Sequence, residues 1–193
     1  MTSILSEFTT DELETLISDN PCLRGFMQGY LSELALMKKL RVLPGVTSVS
    51  KIPDKSETKG DLLVCFEGKN LTIEVKSVET RSVKYDSITD SWEGKVGCKN
   101  SDSRVLIIDG EEFKSSHVEI GKFDVLAIST YSAVGTWDFV FIENRYLPRL
   151  SSDKPNLVKT NFHLNPTSSP FVEADILKVM RSVTTCGKIE DIQ

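Results

Sequence analysis

Apolar residues in the first quarter of the chain recur every three or four positions, which is the period of an amphipathic α-helix. The series that begins at Leu23 predicts one long helix to about Leu40, and Pro44-Gly45 ends it. Ahead of this helix, Thr9 and Glu12 have the spacing of an N-terminal capping box. We therefore expect a short helix over residues 10–18 followed by the long one.

After residue 45 the pattern changes to short apolar runs separated by polar or glycine-containing turns, which predicts β-strands. The runs DLLVCF (61–66) and LTIEVKS (71–77) flank Glu67-Gly68-Lys69-Asn70 and predict a β-hairpin. Residues 81–102 are polar and predict a long loop with one broken helix. Further segments complete the pattern: strands over 46–52, 104–110, 123–130 and 137–143, and a last helix over 171–183.

This order of elements predicts an α/β fold with a mixed central sheet of about five or six strands, flanked by helices. The length of 193 residues fits a single domain over 1–193. Within it we expect an acidic N-terminal helix over 1–20, a core over 23–130, and a C-terminal helix and tail over 165–193.

The net charge of −5 is concentrated at the N-terminus, because residues 1–20 hold five acids and no base. The other 173 residues carry 23 acids and 23 bases, which predicts weak non-specific binding to nucleic acid. Four scattered cysteines and two distant histidines make a zinc site unexpected. The acidic start and the lack of an 18-residue apolar run favour a cytoplasmic protein without a membrane span.

Three polar residues of the predicted hairpin have the chemistry of a metal site: Asp61, Glu74 and Lys76. If Gly68-Lys69 forms a two-residue turn, Asp61 lies opposite Lys76 and Leu63 lies opposite Glu74. Opposed residues share one face of a sheet, and so do residues two apart on a strand. The three side chains then converge, provided that the register does not slip by one residue.

Two carboxylates at this spacing can hold a divalent cation such as Mg²⁺, which prefers oxygen ligands and keeps several waters. Such a cation activates water for attack on a phosphodiester, and Lys76 can orient that water or stabilise the developing charge. The alternative is an ordinary half-buried strand, in which Glu74 and Lys76 face water and Asp61 forms a weak surface ion pair. Spacing alone leaves both interpretations open.

The pattern Gly60-Asp61…Glu74-Val75-Lys76 resembles the PD-(D/E)XK nuclease superfamily, together with the preceding helical segment 29–35 that carries Glu33. The resemblance covers roughly residues 23–130 and implies a restriction-endonuclease-like core. It further implies a Mg²⁺-dependent DNA endonuclease, with Mn²⁺ as a substitute. Asp61, Glu74 and the Val75 carbonyl would then bind the metal, Lys76 would position the water, and Glu33 would support or bind the metal.

The sequence departs from that family at one position, because Gly60 rather than proline precedes Asp61. A literal Pro53-Asp54 pair occurs seven residues earlier, in a loop rich in lysine and serine. We favour Asp61, since it begins the strand that pairs with the Glu74 strand, but Asp54 remains an alternative.

Polar and basic residues that follow the Glu-x-Lys strand are candidates for contacts with nucleic acid: Lys95, Lys99, Asn100, Ser101 and Arg104. A solvated loop is the competing interpretation of the same segment. If the protein cuts both strands in the manner of a restriction enzyme, a homodimer is expected. Three other functions stay open: a structure-specific nuclease of repair, recombination or a mobile element, a non-catalytic nucleic-acid-binding protein, and a protein-interaction module.

Overall fold

The computed structural model describes residues 7–53, 56, 59–108, 111–152, 154 and 156–186. The alternative aspartate, Asp54, lies outside these residues. The side chains of Asn100, Ser101 and Arg104 also lie outside what is described, although their backbone is included. Within the described ranges, no helix is both long and apolar enough to cross a membrane.

Two consecutive helices open the fold, as the apolar period predicted. Helix α1 (Thr10–Asp19) begins with the expected capping box: the Thr9 hydroxyl accepts from the Glu12 amide, and the Glu12 carboxylate accepts from the Thr9 amide. Helix α2 (Pro21–Arg41) has proline in its first turn, where the missing amide proton costs no hydrogen bond. The short α3 (Tyr131–Val134) and α4 (Ile176–Cys186) follow later in the chain.

The described residues contain ten strands in three sheets. In chain order they are β1 (Val46–Lys51), β2 (Leu62–Phe66), β3 (Lys69–Ser77), β4 (Lys84–Asp86), β5 (Ser91–Gly97), β6 (Lys99–Ile108), β7 (Glu111–His117), β8 (Val125–Ser129), β9 (Phe139–Glu143) and β10 (Asn161–Leu164). The central sheet has the order β1-β2-β3-β8-β9, and only its β3–β8 pairing is parallel. The predicted mixed α/β fold with a five-stranded sheet and flanking helices is therefore confirmed.

The polar segment over 81–102 was predicted as a loop, and this prediction is wrong. It forms β4, β5 and the start of β6, and β5 pairs with the distant β10 in a second sheet, β10-β5-β4. Gly94 and Val96 of β5 are buried, although the sequence around them is mostly polar. Because the partner of β5 lies more than 60 residues away, the local pattern gives no sign of this pairing. Strands β6 and β7 pair only with each other.

Apolar side chains cover both faces of the central sheet. On one face, helix α2 packs against β1 and β3 and helix α4 packs against β9, and Leu36, Leu40 and Met180 belong to the apolar cluster on this side. On the other face, Val96 and Cys98 pack in the same cluster as Leu126 of β8. The sheet is thus a middle layer, with β5 packed against β3.

Candidate active site at the edge of the central sheet

The register of the β2–β3 hairpin differs from the predicted one by two positions. Phe66 pairs with Lys69 and Leu62 pairs with Ile73, so the two turn residues are Glu67 and Gly68, both with positive φ. Asp61 lies just beyond the last pair and hydrogen-bonds to Ile73 and Val75, the two neighbours of Glu74, so it does not lie opposite Lys76. A slip of two residues keeps every side chain on its original face, and the predicted convergence survives the error.

Asp61 occupies the point where β2 stops and one edge of β3 becomes free. Its amide donates to the Ile73 carbonyl at 2.8 Å and ends the ladder. Its carboxylate then accepts from the Val75 amide at 2.7 Å, where a continued β2 would have paired. The N–H and C=O groups of one strand residue point to the same side. The Val75 carbonyl therefore opens toward the edge that Asp61 occupies.

The backbone conformation before Asp61 requires glycine, which accounts for the Gly60 at this position. Its φ of +102° lies in a region that favours glycine, and a proline ring would hold φ near −65°. A Cβ at this position would also meet the Ile73 carbonyl oxygen at 3.2 Å. The tight turn that delivers Asp61 to the free edge thus depends on glycine.

Glu74 is buried, with a relative exposure of 8%, so the interpretation as a water-facing surface strand is wrong for this residue. Its carboxylate forms an ion pair with the Lys76 ammonium, with Oε1 and Nζ 2.5 Å apart. The side chain of Lys76 is 21% exposed, so the pair lies just inside an opening. Burying an ion pair costs desolvation energy that a purely structural strand has no need to meet.

The electrostatics of the cluster are those of a site with an excess of negative charge. Burial and the nearby Glu74 carboxylate raise the pKa of Asp61 to about 7, against the opposing effects of Lys76 and the Val75 amide. For Lys76, burial acts to lower the pKa, but the Glu74 and Asp61 carboxylates outweigh it and the pKa is raised. Lys76 therefore stays protonated at neutral pH, while Asp61 is poised between its two states.

Cys98 closes the site from the side of the second sheet. It is fully buried, and its burial raises the pKa of the thiol to about 12, with Lys76 and Glu74 close enough to contribute. A thiol with such a pKa is neither a nucleophile nor a metal ligand at neutral pH. Cys98 is therefore a small, buried and unreactive side chain near the ion pair.

Glu33 approaches the cluster from helix α2. Its carboxylate is paired with the Lys51 ammonium at 2.8 Å, and Lys51 in turn lies 4.3 Å from the centre of the Tyr30 ring. The charge of Glu33 contributes, as the last of several causes, to the raised pKa of Asp61. The structure thus places Glu33 near the candidate site, where its carboxylate is paired with the more exposed Lys51 ammonium. Lys51 is a member of this group that the sequence pattern did not single out.

A divalent cation fits the donors at this edge better than a soft metal would. In the described part of the chain, no three His, Cys, Asp or Glu side chains are grouped closely enough to hold a metal by themselves. Asp61 and Glu74 supply carboxylate oxygens, and the Val75 carbonyl is the nearest main-chain oxygen at the free edge. Few protein ligands, all of them oxygen, match the way Mg²⁺ binds with several waters retained.

The residues predicted to contact nucleic acid lie on strands rather than on a loop. Lys95 belongs to β5 and Lys99 begins β6, and both are exposed. The backbone of Asn100, Ser101 and Arg104 continues along β6, and their predicted contacts lie outside the described side chains. Their role in binding nucleic acid therefore stays a prediction.

No protein-family model matches the sequence, and no curated protein matches it. Among solved structures, the fold is similar to that of a bacterial homing endonuclease, I-Ssp6803I, with 15% sequence identity and a TM-score of 0.45. The similarity covers 84% of this chain and 97% of the other. At this level of identity and superposition, the likeness identifies neither the family nor the chemistry of this chain.

Proposed function

We propose that this protein is a Mg²⁺-dependent DNA endonuclease of the restriction type. The observation that carries the proposal is the buried Glu74 carboxylate, paired with the Lys76 ammonium, next to the half-buried Asp61 carboxylate at the free edge of β3. Like charges at neighbouring positions repel each other, and one lysine leaves the trio with a net negative charge. A divalent cation is the partner that this arrangement favours.

Asp61, Glu74 and the Val75 carbonyl would hold the metal. When bound, Mg²⁺ would act as a Lewis acid that lowers the pKa of a water ligand and offsets negative charge on the phosphate. Lys76 stays protonated, so it donates hydrogen bonds to the phosphate or to the attacking water, and its positive charge stabilises the developing negative charge. It does not act as a base. Glu33 acts through Lys51 and through its field at Asp61, so we assign it a positioning or supporting role.

Double-stranded DNA is the substrate that we favour over other phosphodiesters. The exposed Lys95 and Lys99 offer charge to a phosphate backbone, and β6 continues from them with the polar residues Asn100 and Ser101. Outside the N-terminal 20 residues the charges balance, which disfavours tight binding through phosphates alone and favours contacts with bases. A homodimer would bring two such sites to the two strands of a duplex.

The proposal is tested by plasmid cleavage. We expect the wild-type protein to nick or linearise supercoiled DNA of varied sequence in the presence of Mg²⁺ or Mn²⁺, and EDTA to stop the reaction. Asp54→Ala is the control that separates the two aspartates, and it is expected to retain activity because Asp54 lies outside the hairpin. Cleavage that survives EDTA, or that is lost in Asp54→Ala but kept in Asp61→Ala, would contradict the assignment.

Activity on branched or mismatched DNA, without preference for sequence, would instead select a structure-specific nuclease of repair, recombination or a mobile element. Tight DNA binding without turnover at any metal concentration would select a non-catalytic binding protein. Both outcomes are read from the same preparation, with a panel of duplex and branched oligonucleotides and a binding assay in parallel.

Metal binding is expected to depend on pH, because Asp61 must lose its proton before it can bind the cation. Saturating Mg²⁺ or Mn²⁺ should raise the melting temperature by about 5–10 °C at pH 8. The increase should shrink as the pH falls from 7 to 5, since the pKa of Asp61 is about 7. Differential scanning fluorimetry measures this increase in melting temperature, with Glu93→Gln, whose side chain is 44% exposed, as a matched control. An equal increase in Asp61→Asn would contradict the site.

A further inference from the structure

Helix α2 is longer than the surface that it covers. Its 21 residues span about 31 Å, and the buried residues Ser32, Leu36 and Leu40 all lie in its second half. These three recur every four residues and form the side that faces the central sheet. Among its first eleven residues, none is buried. The first half of α2 therefore extends beyond the sheet.

The opposite side of α2 is apolar and exposed. Phe26, Tyr30 and Leu34 also recur every four residues, and their relative exposures are 71%, 55% and 44%. A helix that is apolar on both sides is typical of one that is covered on both sides. A single exposed aromatic residue is common on protein surfaces, but a row of exposed apolar residues along a helix is typical of a surface that binds another molecule.

Helix α1 does not cover this row. It contacts α2, yet none of its residues is buried, and its own Leu16 is 51% exposed. Phe8, just before α1, is also exposed at 55%. These exposed apolar side chains of the two contacting helices, which we call the α1–α2 face, are Phe8, Leu16, Phe26, Tyr30 and Leu34.

We propose that the α1–α2 face binds the same face of a second copy of this chain, with the two α2 helices antiparallel about a two-fold axis near Tyr30. Such an interface is self-complementary, because each copy offers the same row of residues. Aromatic residues such as Phe26 and Tyr30 are enriched in dimer interfaces. The proposal does not depend on the proposed nuclease function.

Charge distribution selects a second copy rather than another partner. Acidic residues cluster in and before α1, next to the start of α2, whereas the end of α2 carries the exposed Lys38 and Arg41. Along the helix axis, Lys38 lies about 12 Å after Tyr30 and Cys22 about 12 Å before it, so an axis at Tyr30 brings Lys38 of one copy next to Cys22 of the other. An antiparallel arrangement about Tyr30 therefore places Lys38 and Arg41 of one copy beside Asp19 and its acidic neighbours in the other.

The oligomeric state in solution tests this proposal. By sedimentation velocity or light scattering at micromolar concentration, we expect the wild type to have twice the mass of one 21.5 kDa chain. Phe26→Glu combined with Leu34→Glu should give monomers. Tyr30 is left unchanged because its ring contacts Lys51, which pairs with Glu33. Ile88→Glu, at a residue 93% exposed in the β4–β5 turn, is the matched control and should remain dimeric.

A charge exchange keeps the test decisive if the double glutamate variant folds poorly. Lys38→Glu should weaken the dimer about tenfold or more, and adding Asp19→Lys should restore it. A wild-type monomer at all concentrations would overturn the proposal, as would a dimer that persists in a well-folded Phe26→Glu/Leu34→Glu variant. Failure of Asp19→Lys to restore association would overturn the antiparallel arrangement. Plasmid cleavage is measured separately, so a loss of dimer is distinguishable from a lack of nuclease activity.

Discussion

Replacement of Asp61 by asparagine is expected to abolish cleavage and to stabilise the metal-free protein. Loss of one of two carboxylate ligands should lower the cleavage rate by about 10³-fold or more. The stability gain follows from the pKa of about 7, which lies above the ordinary value of 3.8. As the pH rises from about 4 to 7, the free energy of unfolding of the wild type falls, because the folded state holds the Asp61 proton more tightly than the unfolded state does. Asparagine stays neutral and shows no such loss. At pH 8 the gain should be a few kcal/mol.

Urea unfolding in EDTA at pH 4 and pH 8, together with plasmid cleavage, measures both effects. The two proteins should differ little at pH 4, and excess Mg²⁺ at pH 8 should restore the wild type toward the variant. Asp138→Asn is the matched control, since this carboxylate is exposed and paired with Lys39, and it should change stability by less than about 1 kcal/mol. A large loss of stability in Asp61→Asn would identify Asp61 as a structural residue instead.

Replacement of Lys76 by methionine is expected to lower both activity and stability. The ammonium is the only cation paired with Glu74 among the described ion pairs, and it lies 2.5 Å from the carboxylate. Its loss leaves the buried Glu74 carboxylate without its cation and near the half-buried Asp61 carboxylate, which should cost about 3 kcal/mol at pH 8. Cleavage should fall by roughly 10²–10³-fold, the effect of removing a charged donor from a phosphate in the transition state.

The stability of Lys76→Met should recover below about pH 6, because protonation of the Asp61 carboxyl removes the repulsion. Lys84→Met is the control, since Lys84 pairs with Glu93 on the exposed β4–β5 surface, and little change is expected there. Lys76→Met that cleaves DNA at the wild-type rate would exclude Lys76 from the chemistry, whatever happens to its stability.

The helices and the hairpin were predictable because their signals are local. The capping box at Thr9, the three-and-four spacing after Leu23, and the two apolar runs around Gly68 each report on residues within a few positions of one another. The parallel β3–β8 pairing and the β5–β10 pairing join segments separated by about 50 to 70 residues. No local period encodes such partners, so the second sheet was missed.

The proximity of Asp61, Glu74 and Lys76 was predictable, but their environment was not. The alternation of apolar and polar residues on β3 predicts that Glu74 and Lys76 share one face, and it is typical of a face exposed to solvent. Burial of Glu74 comes instead from the covering layer that contains Val96 and Cys98, which belong to the segment predicted as a loop. The pairing of Glu33 with Lys51 was likewise missed, because α2 and β1 meet only in the folded chain.

The short Glu67-Gly68 turn also bears on how this protein can vary during evolution. Asp61 lies just before β2 and Glu74 lies on β3, in a hairpin whose side chains alternate every two residues. One residue added to each strand leaves both carboxylates on the same side, at the same end of the hairpin. One residue added to a single strand, without a bulge, would turn Asp61 away from Glu74. Relatives with longer hairpins should therefore differ from this chain by even numbers of residues between the two acids.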